Sequence, residues 1–315
     1  MRALILAAYG LDVAIGDPPS LPHPVRWIGA AIAHGERVAR KRFDATPHGE
    51  RLAGAALTAT VVAASGALTA LALALARRAG PDAHRAAEVV VAASAIATRD
   101  LLTQANDVLL ALQDGDLPRA RTRVARIVGR DTETLDPAGV ARAVIETLAE
   151  STCDGIVAPL FFLAVGGAPA ALAFKAISTL DSMIGHPEPP YTFFGTAAAR
   201  LDDVANVIPA RIAALGIAFA APLCGGSARR ALASMREDAR KHRSPNAGYP
   251  EAALAGALGV RLGGTLSYGG VVVEAPLLNA SGREPDSRDV AAAMRICALA
   301  SLLSALLFAG TARRA

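Results

Sequence analysis

The hydrophobic residues of this chain fall into long blocks with the polar residues collected between them, unlike the striped pattern of amphipathic soluble helices. Residues 52–76 contain no charge and exceed the roughly 20 residues that a membrane-spanning helix needs. Residues 207–224 form a second apolar block, and residues 290–310 form a third that is interrupted by Arg295. Residues 1–15 predict a first membrane helix, because no signal-peptide cleavage pattern follows them.

Two shorter blocks leave the number of crossings open. Residues 86–97 approach the length of a span only if Leu101 and Leu102 are added. Residues 156–177 are interrupted by Gly-Gly-Ala-Pro at 166–169, and each of the two halves is too short to cross alone. A re-entrant helical hairpin and a single kinked span both fit this interruption, and broken helices of this kind often mark binding sites.

Polar helices are predicted between the blocks, in residues 99–155. Apolar residues at helical spacing predict one helix over 101–112 and a second over 119–128, with a Gly-Asp-Leu-Pro break between them. A third helix is predicted over 137–150, where Asp136 is placed to act as the N-cap of a helix that begins with proline.

These patterns define the predicted fold class. No segment alternates with a sustained period of two, so we predict an all-α, polytopic integral membrane protein with a broken or re-entrant helix and helical cytoplasmic loops. The number of membrane helices is predicted to be about four to five. Residues 1–315 are treated as a single membrane-embedded domain that includes the helical extramembrane region 99–155 and a basic loop region at 225–289.

Composition and charge narrow the classes of function. The chain is 53% hydrophobic and 4% aromatic, with a formal net charge of +4. Basic residues cluster before block 52–76 and after block 207–224, which is typical of cytoplasmic loops. The scarcity of aromatic residues and the lack of a nucleic-acid motif argue against nucleic-acid binding. Cys153, Cys224 and Cys297 are too far apart in sequence to indicate a disulfide framework or a zinc site.

One polar cluster lies directly before an apolar block. Asp202, Asp203, Asn206 and Arg211 recur at helical spacing, and Asp181 precedes them. Charged side chains at the edge of a membrane segment cost free energy, so their presence there indicates binding of a charged ligand. Carboxylate and amide oxygens are ligands that suit Mg²⁺ together with phosphate. The alternative is an interfacial helix whose charges are merely solvated.

Further candidates lie in loops framed by proline and glycine. Four prolines within residues 16–29 fix the backbone that carries Asp17, His23 and Arg26. The other candidates are Arg99, Arg130, Asp131, Glu150 (which shares a helix face with Glu146), Asp154, Arg200, Ser244 and Asn246. Together they suit an anionic, phosphate-bearing substrate with a metal ion. The common phosphate-loop, dinucleotide and kinase signatures are missing from the sequence.

Several motifs follow one another in the order of a known family. They are Gly-Asp-Pro-Pro at 16–19 with Pro-His-Pro-Val-Arg at 22–26, Gly-Arg-Asp-Thr at 129–132, Asp-Gly at 154–155 with Ala-Pro-Leu at 158–160, Thr-Leu-Asp-Ser-Met at 179–183, Leu-Asp-Asp-Val-Ala-Asn at 201–206 with Pro-Ala-Arg at 209–211, and Ser-Pro-Asn-Ala-Gly at 244–248. The chain thereby resembles the adenosylcobinamide-phosphate synthases, the CobD/CbiB family of cobalamin biosynthesis proteins. Ser151 and Ser178 depart from it, since the family has asparagine at both positions, and any substrate contact of those amides is weakened or remade here.

The resemblance implies an enzyme of the bacterial cytoplasmic (inner) membrane with its active site on the cytoplasmic side. Such an enzyme joins adenosylcobyric acid to aminopropanol phosphate, or a related amino alcohol, through an amide bond, and it consumes ATP with Mg²⁺. Other late cobalamin-pathway membrane enzymes and a second copy of the chain are further expected partners. The loops that carry the motifs are expected to converge on one membrane face, because ATP and the corrinoid are both cytoplasmic.

Candidate roles follow from combining the residues with the resemblance. The catalytic candidates are Asp181, Asp202, Asp203, Glu150 and Asp154, and the first three are also the metal candidates. The candidates for binding substrate or phosphate are Asp17, His23, Arg26, Arg99, Arg130, Asp131, Arg200, Asn206, Arg211, Ser244 and Asn246. A corrinoid-binding or transporting membrane protein without ligase chemistry is the alternative, and a purely structural subunit is a third class.

Overall fold

The computed structural model describes residues 1–18 and 23–312. Most of the described chain is α-helical, which confirms the predicted fold class. The helices are α1 (Arg2–Ile15), α2 (Pro24–Arg42), α3 (Pro47–Arg78), α4 (Pro81–Ala93), α5 (Thr98–Gln113), α6 (Leu117–Val124), α7 (Pro137–Thr152), α8 (Ala158–Ile184), α9 (Thr196–Ala205), α10 (Val207–Ala220), α11 (Ala228–Asp238), α12 (Gly248–Leu258) and α13 (Ser287–Thr311). A π-helical turn at Cys153–Val157 joins α7 to α8, and 3₁₀ turns follow α10 (Ala221–Cys224) and α11 (Ala239–Lys241).

The chain divides into two compact units. The first comprises Met1–Ala97, Ala158–Asn206 and Leu307–Ala315, and the second comprises Thr98–Val157 and Val207–Leu306. In the first unit, α3 packs against α2, α4, α8 and α9. In the second, α12 packs against α7, α10 and α11, and alanine and glycine along α12 allow these close contacts. The treatment of the chain as one membrane-embedded domain stays a prediction.

Four helical segments of the described chain are long and apolar enough to cross a membrane, by length and composition. They are Pro47–Arg78, Pro137–Ile184, Val207–Cys224 and Ser287–Thr311. Three of them contain the apolar blocks that the sequence analysis identified as spans. The chain is therefore an integral membrane protein with several membrane helices.

Two other predicted spans are not confirmed. Helix α1 forms as expected, but its 14 residues extend only about 21 Å, which is less than the ~30 Å hydrocarbon core. Block 86–97, which needed Leu101 and Leu102 to approach the length of a span, does not continue through them, because α4 ends at Ala93 and α5 begins separately at Thr98. Backbone bonds from Ala95 and Ile96 to carbonyls three residues back tighten the chain at this point and end the helix.

The interrupted block forms a helical hairpin within α8. Gly166 (φ −140°, ψ 18°) and Gly167 (φ 69°, ψ −168°) leave the helical conformation. Phe162 and Phe174 stand on opposite sides of this break, yet their rings stack with centroids 4.9 Å apart. Twelve residues of straight helix would separate them by about 18 Å. The chain therefore reverses direction at the glycines, which favours the hairpin over the single kinked span.

A β-hairpin is present that the sequence analysis did not predict. Strands β1 (Leu262–Tyr268) and β2 (Val271–Leu278) pair antiparallel, in the region expected to be loop. Two glycines with positive φ, Gly269 (56°) and Gly270 (81°), form the two-residue turn, as favoured hairpin turns require. The strands lack alternating polarity because both faces of β2 are partly exposed, so the turn was the only signal available.

The boundaries of three other predicted elements can be compared with the structure. Helix α7 begins at Pro137, and the Asp136 carboxylate accepts a hydrogen bond from the Gly139 N–H at 2.7 Å, which confirms the predicted N-cap. Helix α6 ends at Val124 and not at 128, because turn-type backbone bonds replace helical ones beyond it. The loop predicted over 16–29 is shorter than expected, since α2 begins at Pro24, and its residues 19–22 lie outside the described chain.

The α8 hairpin depends on a backbone conformation that only glycine adopts easily. We expect Gly167→Ala to destabilise the protein by about 1–3 kcal/mol, because φ 69° with ψ −168° is sterically poor for any residue with a Cβ. Gly10→Ala in α1 is the matched control, since a Cβ there meets nothing within 4 Å. Thermal unfolding in detergent should show a lower Tm for Gly167→Ala alone. Equal melting temperatures in the two variants would contradict this account of the hairpin.

Candidate functional site

A cavity of about 290 Å³ lies in the second unit, between α7, α12, the β-hairpin and the segment after α6. Its titratable lining residues are Arg130, Glu146, Glu150, His242, Glu251 and Tyr268. We call it the glutamate cavity, because three of these residues are glutamates. A cavity of this size holds about ten times the liquid volume of one water molecule, so it has room for a small solute.

Glu146 is held on two sides. It lies four residues before Glu150 on α7, so both side chains share the face that borders the cavity. The Glu146 carboxylate forms a buried ion pair with Arg130 and accepts a hydrogen bond from the Gly263 N–H at 2.8 Å. Arg130 is therefore engaged with Glu146, and its predicted contact with substrate or phosphate stays a prediction.

His242 is oriented by the backbone that follows it. The Ser244 N–H donates to Nδ1 of His242 at 3.0 Å, so the neutral ring carries its proton on Nε2. That nitrogen lies 3.7 Å from a carboxyl oxygen of Glu251. Burial lowers the pKa of His242 below its usual value and outweighs the opposing effects of the Ser244 backbone bond and the Glu146 charge. The imidazole therefore adds little positive charge to the cavity at neutral pH.

Glu251 is the most deeply buried carboxyl group of the cavity. It lies in the first turn of α12, and the residue is only 6% exposed. One of its carboxyl oxygens is paired with Nε2 of His242 at 3.7 Å. Burial, together with repulsion from Glu146 and Glu150, raises its pKa well above the ordinary glutamate value, while Arg130 acts in the opposite direction. Glu251 therefore keeps its proton to a higher pH than a solvated glutamate does.

The aspartates of the predicted metal site lie in the first unit. We call Asp181, Arg200, Asp202, Asp203 and Asn206 the aspartate cluster. The Asn206 amide donates to the Asp202 carboxylate at 3.0 Å at the end of α9. Asp203 faces Asp181 closely enough for their charges to repel, and burial raises the pKa of Asp203 against the opposing charge of Arg200.

The aspartate cluster is only a partial metal site. Over residues 1–18 and 23–312, no three His, Cys, Asp or Glu side chains are arranged to hold a metal ion. Mg²⁺, however, is commonly bound by one or two carboxylates together with phosphate oxygens and water. Asp181 and Asp203 supply two mutually repelling carboxylates, and a cation between them would relieve that repulsion. The pair therefore fits a magnesium ion that arrives with a phosphate group.

Two predicted binding residues hold local structure near the start of the chain. An Asp17 carboxylate oxygen lies 2.8 Å from Nε2 of His23. Nδ1 of His23 accepts a weak hydrogen bond from the Val25 N–H at 3.3 Å and so caps α2. Arg26 in α2 and Arg99 in α5 are solvent-exposed, and their predicted contact with substrate stays a prediction.

Asp131 is hydrogen-bonded to the turn of the β-hairpin. Its carboxylate accepts hydrogen bonds from the Ser267 hydroxyl at 2.6 Å and from the N–H groups of Gly269 and Gly270 at 3.0 and 2.8 Å. These bonds, that of Ser267 first, hold the pKa of Asp131 below its usual range. The structure therefore gives this carboxylate a positioning part in holding the hairpin turn, and direct contact with substrate stays a prediction.

Arg211, Ser244 and Asn246 form a second positioning group. The Arg211 guanidinium donates to the Asn246 side-chain oxygen at 2.7 Å and lies 3.9 Å from the ring centroid of Tyr249. The Ser244 hydroxyl accepts bonds from the N–H groups of Asn246 and Ala247, both at 3.2 Å. These contacts fix the segment between His242 and Glu251. Asp154 lies in the π-helical turn after α7, and its predicted catalytic part stays a prediction.

Arg130 and Glu150 of the glutamate cavity are candidates predicted from the sequence, whereas Glu146, His242 and Glu251 are not. Glu146 could have been found from its spacing, because it lies four residues before Glu150 and so shares a helix face with it. His242 and Glu251 belong to one polar segment, but nothing in the sequence shows that α12 buries the carboxyl group of Glu251.

Comparison with known proteins identifies the family. The family described as CobD/Cbib protein matches residues 5–297. Cobalamin biosynthesis protein CobD of Klebsiella pneumoniae is 45% identical over 303 residues, covering 96% of this chain and 95% of the relative. CobD of Citrobacter koseri is 44% identical over 301 residues (96% and 94%), and cobalamin biosynthesis protein CbiB of Salmonella typhimurium is 43% identical over 303 residues (96% and 95%). The chain is a member of the CobD/CbiB family, as its motifs predicted. No solved structure matches it.

Burial of Glu251 has a consequence for stability. Because folding raises its pKa, the folded protein binds more protons than the unfolded chain once the pH exceeds the ordinary glutamate pKa. The free energy of unfolding then falls by about 1.4 kcal/mol per pH unit until the pH reaches the folded pKa. Glu251→Gln keeps the shape of the neutral acid but cannot ionise, so we expect its Tm to fall less steeply as the pH rises from about 5.

The control for this prediction is Glu237→Gln, which changes an exposed glutamate on α11. It should keep the wild-type dependence of Tm on pH in detergent. A Glu251→Gln protein with the same slope as wild type would show that Glu251 ionises normally in the folded state.

Proposed function

We propose that this protein is an ATP-dependent amide ligase of cobalamin biosynthesis. It joins the free propionate carboxylate of adenosylcobyric acid to the amine of aminopropanol phosphate, or of a related amino alcohol, to give adenosylcobinamide phosphate. Membership of the CobD/CbiB family and the names of its relatives support the pathway. The observation that carries the ligase assignment is the glutamate cavity, in which carboxyl groups from α7 and α12 border a space with room for a small solute.

The reaction requires activation and then proton removal. A carboxylate is a poor acylating agent, so ATP first converts it to an acyl phosphate with release of ADP, or to an acyl adenylate with release of pyrophosphate. The amine nitrogen then forms the amide bond as phosphate or AMP departs, and the nitrogen loses a proton. Glu150 borders the cavity at the exposed edge of α7, where a carboxylate can take up that proton.

The aspartate cluster is suited to the phosphate groups. Mg²⁺, when bound there, would offset the charge of the ATP phosphates and polarise the phosphorus that is attacked. Asp181 and Asp203 would hold the ion, and Asn206 keeps Asp202 in place beside them. Arg200 is exposed next to this group, and its planar guanidinium can bind phosphate oxygens in pairs. Arg26 is a second candidate of the same kind.

The substrates also indicate on which side of the membrane the active site lies. ATP and the corrinoid are cytoplasmic, so the proposed active site faces the cytoplasm from the bacterial inner membrane. The basic residues near the ends of α2 and α11 agree with a cytoplasmic position for those ends. Other late cobalamin-pathway membrane enzymes and a second copy of the chain are the proposed protein partners.

The direct test uses the purified full-length protein in detergent or lipid nanodiscs. Incubation with ATP, Mg²⁺, adenosylcobyric acid and aminopropanol phosphate should yield adenosylcobinamide phosphate, detected by mass spectrometry, with consumption of ATP that depends on both other substrates. Tight binding of the corrinoid without product or ATP consumption would favour the alternative, a corrinoid-binding or transporting protein.

Substitution in the aspartate cluster tests the metal assignment. We expect Asp203→Asn to lower kcat/KM by about 10- to 100-fold or more and to raise the Mg²⁺ concentration that gives half-maximal rate, because one charged ligand is lost. Asp202→Asn should have the smaller effect, because Asp202 already accepts a hydrogen bond from Asn206. The exposed Asp82→Asn on α4 is the matched control. Wild-type magnesium dependence in Asp203→Asn would remove the cluster from the metal site.

A further inference from the structure

We propose that the outer part of the β-hairpin, residues 264–277, is a hinged flap over the glutamate cavity, and that Asp131 is the latch that holds it closed. We call residues 264–277 the flap. The proposal concerns access to the cavity, so it goes beyond the proposed function and is independent of the ligand that the cavity takes. Asp131 is in this account a positioning residue that acts through the flap.

The flap forms one wall of the glutamate cavity. Leu266 and Tyr268 of β1 line the cavity, and so do Ala275 and Pro276 of β2. Much of the remaining lining comes from α7 and α12. A movement of the flap alone would therefore open the cavity while these two helices stay in place.

The flap is less firmly packed than the base of the hairpin. Leu262 and Leu278 at the base are 0% and 1% exposed, whereas every residue of the flap is exposed or partly exposed to solvent. Val271 and Val272 near the tip are 64% and 65% exposed although they are apolar. Segments with few buried apolar contacts open at a lower free energy than the core does. The flap can therefore move without unfolding the base.

A β-bulge at Gly263 provides the hinge. At the base of the hairpin, Leu262 pairs with Leu278. The next pair is Gly264 with Ala275, so the single residue Gly263 lies opposite two residues of β2. Gly263 and Gly264 have φ values of 81° and 89°, which only glycine adopts easily. Such a bulge interrupts the ladder and bends the strand at the point where the flap begins.

Helix α7 holds the hinge residue in place. The Gly263 N–H donates a hydrogen bond to the Glu146 carboxylate at 2.8 Å, and its carbonyl oxygen accepts one from the Arg142 guanidinium at 3.3 Å. On the opposite strand, Pro276 has no N–H and so cannot donate to the ladder beside the hinge. The hinge is thus fixed to α7 on one side of the bulge, and the flap is weakly paired on the other.

Asp131 holds the other end of the flap. Its carboxylate accepts hydrogen bonds from Ser267, Gly269 and Gly270, and its own N–H donates to the Ser267 carbonyl oxygen at 2.8 Å. Apart from the ladder of the hairpin itself, these are the hydrogen bonds that tie the flap to the rest of the described chain. Because the carboxylate is partly exposed, water can take the place of each donor when the flap moves. The latch can therefore open and close reversibly.

The experiment measures access to a thiol placed in the cavity of the full chain in detergent. Ser151 on α7 lines the cavity, and Ser151→Cys replaces its oxygen with sulfur. The rate of reaction with a small maleimide is followed by mass spectrometry of peptides, which separates the introduced thiol from the native cysteines. We expect Asp131→Ala, added to Ser151→Cys, to raise this rate about tenfold or more, because labelling follows the population of the open form.

Three further substitutions, each added to Ser151→Cys, make the assignment specific. Ser267→Ala removes one hydrogen bond of the latch, so the labelling rate should rise less than in Asp131→Ala. Asp131→Glu keeps a carboxylate and should restore part of the protection. Asp82→Ala changes an exposed aspartate on α4 and is the matched control, which should label at the rate of Ser151→Cys alone.

The native Cys297 distinguishes opening of the flap from unfolding. It is 1% exposed within α13 and should stay unlabelled while the introduced thiol reacts. Labelling of Cys297 together with the introduced thiol in Asp131→Ala would overturn the proposal, because the second unit would then be unfolding. Equal rates in Asp131→Ala and Asp82→Ala would also overturn it, because Asp131 would then have no control over access. The labelling uses neither ATP nor corrinoid, so product formation tests the proposed function separately.

Discussion

The second unit depends on one buried carboxylate, that of Glu146. It joins α7 to Arg130, 16 residues earlier in the chain, and to the backbone of Gly263, 117 residues later. Removing one partner of a buried ion pair costs about 3–5 kcal/mol, because the other charge is left uncompensated. The same charge acts on His242 and Glu251, so it shapes the electrostatics of the cavity as well as its walls.

The cavity is built from local features that each have a simple cause. The Asp136 cap begins α7 at a fixed residue, and this sets which face carries Glu146 and Glu150. Asp131 holds the tight turn of the β-hairpin, whose first strand presents Gly263 to Glu146. Arg211 and Ser244 fix the segment that carries His242. Several charged residues that sequence patterns mark as substrate ligands therefore hold the walls of the site in place.

The sequence could predict what depends on local composition. The spans at α3 and α13 follow from long apolar blocks, the α7 cap from an aspartate before a proline, and the family from ordered motifs. It could not predict the burial of Glu251, because that depends on helices distant in sequence packing around α12. The end of α4 at Ala93 could not be predicted either, because an alanine-rich sequence is equally compatible with a longer helix. Backbone hydrogen bonds of a turn end the helix there.

The reversal of the chain within α8 also affects how many times the chain crosses the membrane. A helix that crosses a bilayer moves the chain to the other side, whereas a hairpin that enters and returns leaves the chain on the side from which it came. At Gly166 and Gly167, two residues without side chains therefore decide whether this segment contributes an odd or an even number of passages. The orientation of every later membrane helix, α10 and α13 included, is inherited from that choice. A change in the backbone conformation of these two glycines would thus alter the sidedness of the chain that follows them, nearly half of its 315 residues.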